Sequence, residues 1–242
     1  MRKQPDISII IPALREEKRI GKTLDELSRL LKGLPLLCEV IVVVAEGGDN
    51  TAGVIQKKAP KFQDIQIIEP GKPAGKGRDV REGMLAARGR AVLFMDADLA
   101  TPLKYIEVFY ENFQEGYDVV IGTRNLRKHH KHPVRLAVSN AGNILFRLLS
   151  GVSTEDSQCG FKLFSYRATK ECFSRQTIMK WGFDMEILAI ARYRNFVIRQ
   201  IRINDWRHAE GGSFEDRPLR NSIDSLVDLV RIFKNRLLGR YS

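Results

Sequence analysis

The sequence has few cysteines and no long apolar run. Its three cysteines, Cys38, Cys159 and Cys172, lie far apart and form no CxxC pair, so their spacing indicates neither a zinc site nor a redox motif. An odd, low count is typical of a reducing cytoplasm. No apolar stretch approaches the roughly 20 residues that a spanning helix needs, and the polar start at residues 1–6 is unlike a signal peptide. We therefore expect a soluble protein, or one peripheral to the cytoplasmic face of a membrane.

Acidic residues are outnumbered by basic ones. Lys and Arg total 40 against 29 for Asp and Glu, which gives a net charge of +11. This excess favours anionic partners, namely nucleotide diphosphates, nucleic acid or acidic lipid headgroups, without choosing among them. The 242 residues are enough for one large core, and 43% hydrophobic residues make a globular composition. Since no repeat or low-complexity linker interrupts the chain, we expect one domain over residues 1–216 and an extension over 217–242.

Apolar strands alternate with helices along the first half of the chain. This order predicts an α/β fold with a mainly parallel sheet and helices on both faces. Ligands of such sheets bind at the carboxyl ends of the strands. Helical spacing predicts helices at residues 16–31 and 51–58 and one that includes 83–88. The predicted strands are residues 7–11 (closed by Pro12), 40–44, 65–68, 91–95 and 119–121.

The second half is less regular. It contains a strand signal at 161–164, a helix signal at 183–192 and a strand signal at 196–203. Residues 219–238 form an amphipathic helix candidate, whose basic residues lie off its apolar stripe. Such a helix lies in the plane of a membrane interface, or it packs on the protein's own core or on a second copy. The stripe consists of Leu219, Ile223, Leu226, Val227, Val230, Phe233 and Leu237.

Two carboxylates follow the strand that ends at Met95. Asp96 and Asp98 are separated by one residue, and their charge next to a buried strand is costly unless something offsets it. A hard divalent cation, Mg²⁺ or Mn²⁺, would offset it, and such ions commonly share their ligands with substrate phosphates. The metal would stabilise a diphosphate leaving group. The alternative is a solvated loop that caps the next helix.

A glycine-rich turn precedes the third helix. Gly75, Lys76, Gly77 and Arg78 allow close backbone approach, and a helix start attracts phosphate. The spacing does not match a P-loop, and Val80 stands where a dinucleotide fingerprint has its third glycine. The turn therefore either approaches a phosphate or only joins strand to helix.

A basic segment runs from Arg124 to Arg135. It is either a landing site for a phosphate or an anionic membrane, or solvated surface. Three histidines within it, His129, His130 and His132, lack a carboxylate or cysteine partner nearby, which argues against a transition-metal site. The segment has no aromatic residue other than these histidines, so we expect no nucleic acid to bind.

Taken together, the motifs resemble those of inverting GT-A glycosyltransferases, and especially the polyprenyl (dolichyl) phosphate sugar synthases. Two further stretches, at residues 181–186 and 204–208, are more similar to the dolichyl-phosphate glucosyltransferase branch than to the mannosyl branch. The resemblance implies a GT-A fold and a metal-assisted transfer of a hexose from UDP or GDP to a polyprenyl phosphate at a membrane surface. The motifs are IIPALREE at 10–17, DNT at 49–51, GKG at 75–77, MDADL at 95–99, IGTR at 121–124 and DSQCGFK at 156–162.

The resemblance also assigns roles to residues. Pro12, Ala13 and Glu16 would line the base and ribose pocket, with Asp49 in a second nucleotide loop. The remaining assignments are Lys76 and Arg78 beside the nucleotide, Asp96 and Asp98 on the metal, Arg124 and Arg135 on the acceptor phosphate, Asp156 and Gln158 on the sugar side, and Trp181, Asp184 and Glu186 further round it.

The chain departs from the family pattern in its first two loops. Leu14 and Arg15 stand where the family often has Tyr-Asn, and Val44 and Ala45 stand where an acidic pair is usual, with Glu46 shifted by one. The sequence therefore does not decide whether the base is uracil or guanine. It also leaves open the alternative that the protein is an inactive homologue. A further alternative keeps the fold but uses a soluble sugar or a protein acceptor. That reaction needs a carboxylate base, for which Asp156 or Asp184 is the candidate.

Overall fold

The computed structural model describes residues 3–124, 144, 146–147, 150–207 and 218–242. Within these ranges seven strands form one sheet. The strands are β1 Ile7–Ala13, β2 Cys38–Val44, β3 Ile65–Ile68, β4 Ala91–Met95, β5 Val119–Arg124, β6 Phe161–Ser165 and β7 Ile198–Ile203. The helices are α1 Ile20–Gly33, α2 Thr51–Lys58, α3 Lys76–Ala86, α4 Tyr105–Gln114, α5 Tyr166–Arg175, α6 Phe183–Tyr193 and α7 Pro218–Leu237.

The sheet has the strand order β3-β2-β1-β4-β6-β5-β7 and is mainly parallel, as predicted. The exception is β6, which runs antiparallel to both of its neighbours, with Phe161 opposite Met95. Because β6 runs the other way, its first residue lies at the edge where β4 ends. The loop that precedes β6 therefore joins the loops that follow the parallel strands.

Both faces of the sheet are covered by helices. Successive residues of a strand point to opposite faces, so Ile10 packs with α3, α5 and α6, while Ile9 and Ile11 pack with α1 and α4. All three isoleucines are fully buried. The predicted α/β arrangement, with helices on both faces, is confirmed.

Several predicted boundaries differ in the structure, among them the end of β1 and the start of α1. β1 runs through Pro12 to Ala13, because β4 borders β1 only as far as Ile10 and a proline N–H is not needed beyond that point. α1 begins at Ile20 and not at residue 16. The amide of Glu16 instead donates to Thr51 Oγ1 (2.9 Å), and the amide of Glu17 donates to Asp49 Oδ2 (3.2 Å). The sequence indicated a helix after Pro102 without giving its bounds, and this helix is α4; α5 was not assigned from the sequence.

α7 packs on the main core through a face that the predicted stripe does not include. Leu229 and Ile232 are buried in the cluster that contains α6, and Tyr241, just past the helix, is fully buried with them. The described members of the predicted stripe face solvent, and they are Leu226 at 49% exposure, Val227 at 60%, Val230 at 58%, Phe233 at 38% and Leu237 at 71%. In the described part of the chain, none of the helices has the length and apolar character needed to cross a bilayer.

Candidate active site

The loops after β1 and β2 are tied together at the carboxyl edge of the sheet. Arg15 adopts a left-handed backbone conformation, with φ 58°, and its Nε donates to the carbonyl oxygen of Gly47 (3.0 Å). This conformation is unfavourable for an arginine and common for asparagine, the residue usual here in the family that the motifs resemble. Asp49 accepts from the Thr51 hydroxyl at 2.9 Å. Partial burial raises the pKa of Asp49, but the hydrogen bonds from the Thr51 hydroxyl and the Glu17 amide lower it by more, so the net shift is downward.

A cavity of about 660 Å³ opens between the loops after β2 and β3. Three carboxylates, those of Glu46, Asp49 and Glu69, belong to its lining, so it suits a ligand that presents N–H donors. Ala13 and Pro12 end the neighbouring strand, and Ala13 pairs with Val44 of the cavity wall. These two residues therefore lie in the strand next to the cavity wall, and Asp49 is the predicted nucleotide residue that lines the cavity directly.

Arg78 fixes the rim of this cavity. Its Nη1 donates to the carbonyl oxygen of Pro70 (3.0 Å) and its Nη2 to that of Lys72 (2.9 Å), on either side of the lining residue Gly71. Its Nε also contacts Asp79 Oδ1 at 2.8 Å. Arg78 thus lies near the predicted nucleotide site, but its guanidinium is committed to holding a loop.

An acidic centre follows β4. Asp98 accepts from the amide of Ala100 at 2.9 Å, and Leu99 between them has a positive φ of 57°. Burial, and then the charge of Asp96, raise the pKa of Asp98. Burial also raises the pKa of Glu16, against its pair with Arg19, and the two aspartates add to this shift. Burial is the main cause of both shifts, and the mutual effects of the carboxylates place Glu16, Asp96 and Asp98 in one region.

Lys76 supplies part of the missing charge. It is the first residue of α3, and its Nζ lies 2.5 Å from Asp96 Oδ1 and 5.5 Å from the centre of the Trp181 ring. Burial alone would lower the pKa of Lys76, but the nearby charges of Asp96, Asp184 and Asp98 together raise it above its usual value. The ammonium therefore stays charged beside the acidic centre. Trp181 itself is 44% exposed.

The donor chemistry of the acidic centre fits a hard divalent cation. Asp96 and Asp98 offer carboxylate oxygens one residue apart in sequence, which are the ligands that such ions prefer. Within the described ranges, no group of three His, Cys, Asp or Glu side chains has the geometry of a metal site. Two protein carboxylates with phosphate oxygens completing the shell is the arrangement usual for Mg²⁺ beside nucleotides.

A second cluster lies at the end of β5. Arg124 grips Asp156 with two prongs, Nε to Oδ2 at 2.5 Å and Nη2 to Oδ1 at 2.9 Å, and packs 5.4 Å from the centre of the Trp206 ring. Although burial works against ionisation, Arg124 lowers the pKa of Asp156. The amide of Gln158 donates to Asp156 Oδ1 at 3.2 Å. Asp156 is thus a structural anion, and its low pKa makes it a poor general base.

The two clusters adjoin at Gly160. A Cβ added to Gly160 would lie 2.0 Å from Asp96 Oδ2, so the loop before β6 touches the acidic centre. The negative charge of Asp96 also contributes to raising the pKa of Arg124, which places the two side chains near each other. The antiparallel direction of β6 is what brings the clusters together, and the sequence did not indicate it.

Asp184 and Glu186 are not open to a substrate. Asp184 is buried and contacts the Nζ of Lys162, a fully buried lysine in β6. Burial raises the pKa of Asp184, against the pull of Lys162 and Lys76. Glu186 is fully buried and binds Thr177, Ile178 and Tyr241. Both acids therefore lie below the surface of the candidate site and do not line it.

Sequence reasoning missed several residues that shape the site. Lys162 stands alone in the apolar run 161–164, and a lysine inside a buried strand signals a buried acidic partner. Thr51 and Arg15, which join the first two loops, gave no such signal. Arg135, His129, His130, His132 and His208 lie outside the described residues.

The fold is that of GT-A glycosyltransferases. The chain superimposes on glucosyl-3-phosphoglycerate synthase from Mycobacterium tuberculosis, solved with Mn²⁺, UDP and glucosyl-3-phosphoglycerate, with a TM-score of 0.72. The match covers 95% of this chain and 80% of that one, at 19% identity. This likeness shows that the chain has the fold of that class of protein.

The sequence comparisons identify the family. Residues 8–173 match the model of glycosyl transferase family 2. A dolichyl-phosphate β-glucosyltransferase of Trichomonas vaginalis is 34% identical over 93% of this chain and 72% of its own length. The human dolichyl-phosphate β-glucosyltransferase is 30% identical over 85% of this chain and 68% of its own. The chain belongs to glycosyl transferase family 2, and the resemblance drawn from its motifs is confirmed.

Proposed function

We propose that this glycosyltransferase moves a hexose from UDP or GDP to a polyprenyl phosphate. The observation that carries the proposal is the acidic centre, where Asp96 and Asp98 lie beside Lys76 at the carboxyl edge of the sheet. The similarity to enzymes named dolichyl-phosphate β-glucosyltransferases supports glucose as the sugar and dolichyl phosphate as the acceptor. The structural neighbour that holds UDP supports UDP-glucose as the first donor to test.

The donor would lie across the first three loops. Its base would enter the cavity lined by Glu46, Asp49 and Glu69, and its diphosphate would lie between the start of α3 and the acidic centre. Asp96 and Asp98 would hold Mg²⁺ or Mn²⁺, which when bound stabilises the charge on the departing diphosphate. Lys76 adds a fixed positive charge there, and the exposed face of Trp181 offers a surface for the sugar.

The transfer step needs positioning more than proton removal. An oxygen of the acceptor phosphate forms a bond to the anomeric carbon as the bond from that carbon to the nucleotide diphosphate breaks. The electron pair leaves with the diphosphate, and the configuration inverts. A phosphate monoester is already largely ionised at neutral pH, because its second pKa is near 6. No general base is therefore required, and catalysis rests on orientation and charge stabilisation.

The ion pairs at the site favour a phosphate over a hydroxyl acceptor. An acceptor hydroxyl would need Asp156 or Asp184 as its base, and Arg124 and Lys162 already hold these two carboxylates. The pair with Asp156 uses Nε and Nη2 of Arg124, and Nη1 would donate to an acceptor phosphate. Arg135 and Gln158 stay predicted contacts of the acceptor and the sugar.

The C-terminal extension would bring the enzyme to its lipid acceptor. The outward face of α7 presents Leu226, Val230, Phe233 and Leu237 to solvent, and the last turn of the helix carries the basic residues Lys234 and Arg236. An apolar face flanked by basic side chains fits an acidic lipid surface at the cytoplasmic face of a membrane. We propose this surface as the occupant of the exposed face.

Vesicle co-sedimentation tests this membrane contact. Phe233→Asp and Val230→Asp place a charge on the exposed face without touching the core, and they should lower binding to vesicles with anionic lipid at least tenfold. Val197→Asp, at a similarly exposed valine before β7, should bind like the wild type. Undiminished binding of the two α7 variants would refute the membrane contact, as would a wild-type dimer that these variants dissociate.

A donor and acceptor panel tests the activity. UDP- and GDP-hexoses would be supplied with Mg²⁺ or Mn²⁺, with and without a short isoprenyl phosphate. We expect metal-dependent transfer to the lipid that Asp98→Asn reduces by a factor of about 100 or more. Asp64→Asn, at a surface carboxylate paired with Arg88, is the control and should stay active. Transfer to a soluble sugar or protein, with none to any lipid phosphate, would replace the proposed acceptor.

A further inference from the structure

The inward face of α7 holds a segment that borders the candidate active site. We call residues 176–182, which end at Trp181 and Gly182, the wall segment. Asn235 Nδ2 donates to Thr177 Oγ1 (3.1 Å), and Arg231 Nη2 donates to the carbonyl oxygen of Thr177 (3.2 Å). A Cβ on Gly182 would lie 2.1 Å from Asp228 Oδ2. The C-terminal helix therefore contacts both ends of the wall segment.

A buried carboxylate links the last residues of the chain to the same segment. Glu186 Oε2 accepts from the amides of Thr177 (2.8 Å) and Ile178 (2.7 Å). Its Oε1 accepts from the hydroxyls of Thr177 (2.6 Å) and Tyr241 (2.9 Å). Burial, and then the charge of Glu186, raise the pKa of Tyr241, so its hydroxyl keeps its proton and remains a donor. Glu186 thus receives four hydrogen bonds, and within the described residues it forms no salt bridge.

The wall segment in turn contacts the first turn of α3. The amide of Arg78 donates to the carbonyl oxygen of Met179 (3.0 Å), and Gln176 Nε2 donates to that of Gly77 (2.9 Å). The contact is close enough to require glycine, because a Cβ on Gly75 would lie 2.3 Å from the oxygen of Met179. Lys76 belongs to this turn, and Trp181 to the wall segment itself. Any displacement of the wall segment therefore moves the two residues beside the acidic centre.

We infer that Tyr241, Asn235 and Glu186 are positioning residues for the donor site, acting through the wall segment. None of them faces the acidic centre, and their contacts reach it through Thr177 and Met179. The inference rests on the proposed function for the identity of the donor, but the mechanical coupling from Tyr241 to Arg78 does not. The C-terminal tail is accordingly part of the donor site's framework.

Hydrogen exchange of the ligand-free protein tests the coupling. Tyr241→Phe removes one buried hydroxyl. Tyr193→Phe is the matched control, because the Tyr193 hydroxyl contacts the Ser242 hydroxyl and neither belongs to the network around Glu186. We expect the amides of Thr177, Ile178 and Arg78 to exchange about tenfold faster in Tyr241→Phe alone, the factor that loss of one buried hydrogen bond produces. An unchanged Arg78 amide would overturn the coupling, as would equal acceleration throughout β1 and β2.

Donor kinetics test the consequence for the reaction. In Tyr241→Phe we expect the KM for the nucleotide sugar to rise about five- to tenfold, with the KM for the isoprenyl phosphate unchanged. A fall in kcat alone, or equal rises in both KM values, would contradict a role at the donor side. If the wild type uses no donor at all, the proposed function fails, and the exchange measurement still decides the coupling.

Discussion

Arg124 and Asp156 show how one residue pair can decide both stability and chemistry. The guanidinium meets both oxygens of a carboxylate that is 2% exposed, so neither partner is free to titrate near neutral pH. A lysine cannot reproduce this geometry, because its single ammonium group lacks the planar fork. The pair is therefore the place where a conservative change should have a large effect.

We predict that Arg124→Lys lowers the free energy of unfolding by about 1–3 kcal/mol, since the buried Asp156 loses part of its hydrogen bonding. Arg202→Lys is the control, because its pair with Glu155 is exposed on both sides and should change stability by less than about 0.5 kcal/mol. Urea unfolding of the two variants measures the difference. Equal, small effects would show that the fork contributes little.

Asp25 gives a prediction for acid pH. Hydrogen bonds from Lys58 (2.6 Å) and Lys61 (2.5 Å) lower the pKa of Asp25 to about 2. The unfolded value is about 3.9, so the ionised carboxylate favours the folded state above about pH 4, and this advantage is lost as pH falls through about 2. The stability difference between wild type and Asp25→Asn should be constant above pH 5 and shrink below pH 4. A difference independent of pH would contradict the pairing.

At the scale of elements, the direction of β6 decides the site. Because β6 is antiparallel, the loop before it reaches the end of β4, and Gly160 lies against Asp96. The contact leaves no room for a side chain, whereas Gly33 at the end of α1 has open space around it. Two glycine-to-alanine changes therefore separate a local effect on the site from a general effect on the backbone.

We expect Gly160→Ala to reduce transfer about a hundredfold, because Asp96 must move by an ångström or more and leave Lys76. Gly33→Ala should keep full activity and leave stability unchanged or slightly raised. Transfer rates at saturating donor and acceptor, with unfolding midpoints for both proteins, check the prediction. Full activity of Gly160→Ala would mean that the observed position of Asp96 is not needed for the reaction.

At the scale of the whole molecule, binding of the metal should increase the stability of the fold. An ion that binds only the folded state adds to the free energy of unfolding, by about 2.7 kcal/mol at a hundred times its Kd. We predict that Mn²⁺ with UDP raises the Tm of the wild type and that chelation reverses the rise. Asp98→Asn should lose the rise, and Asp64→Asn should keep it. A rise that persists in Asp98→Asn would place the metal elsewhere.

The local sequence pattern was enough to predict much of the sheet and the edge at which the candidate site lies. The mainly apolar runs of β2, β3 and β4 predict strands of a parallel sheet, because a strand covered on both faces must be largely apolar. The motifs after those strands then predict one edge with Asp49, Lys76, Asp96 and Asp98, since parallel strands end together. These features depend on neighbours in sequence, which the sequence displays directly.

Other features depended on contacts between distant residues. The sequence indicated Asp156, Asp184 and Glu186 as site residues, but only the tertiary structure pairs the first with Arg124, the second with Lys162 and the third with Tyr241. It also decided which apolar face of α7 is buried, because that choice depends on what α6 and the wall segment offer. A carboxylate's role follows from its partners, and partners brought together across 22 to 55 residues are set by the fold and not by local pattern.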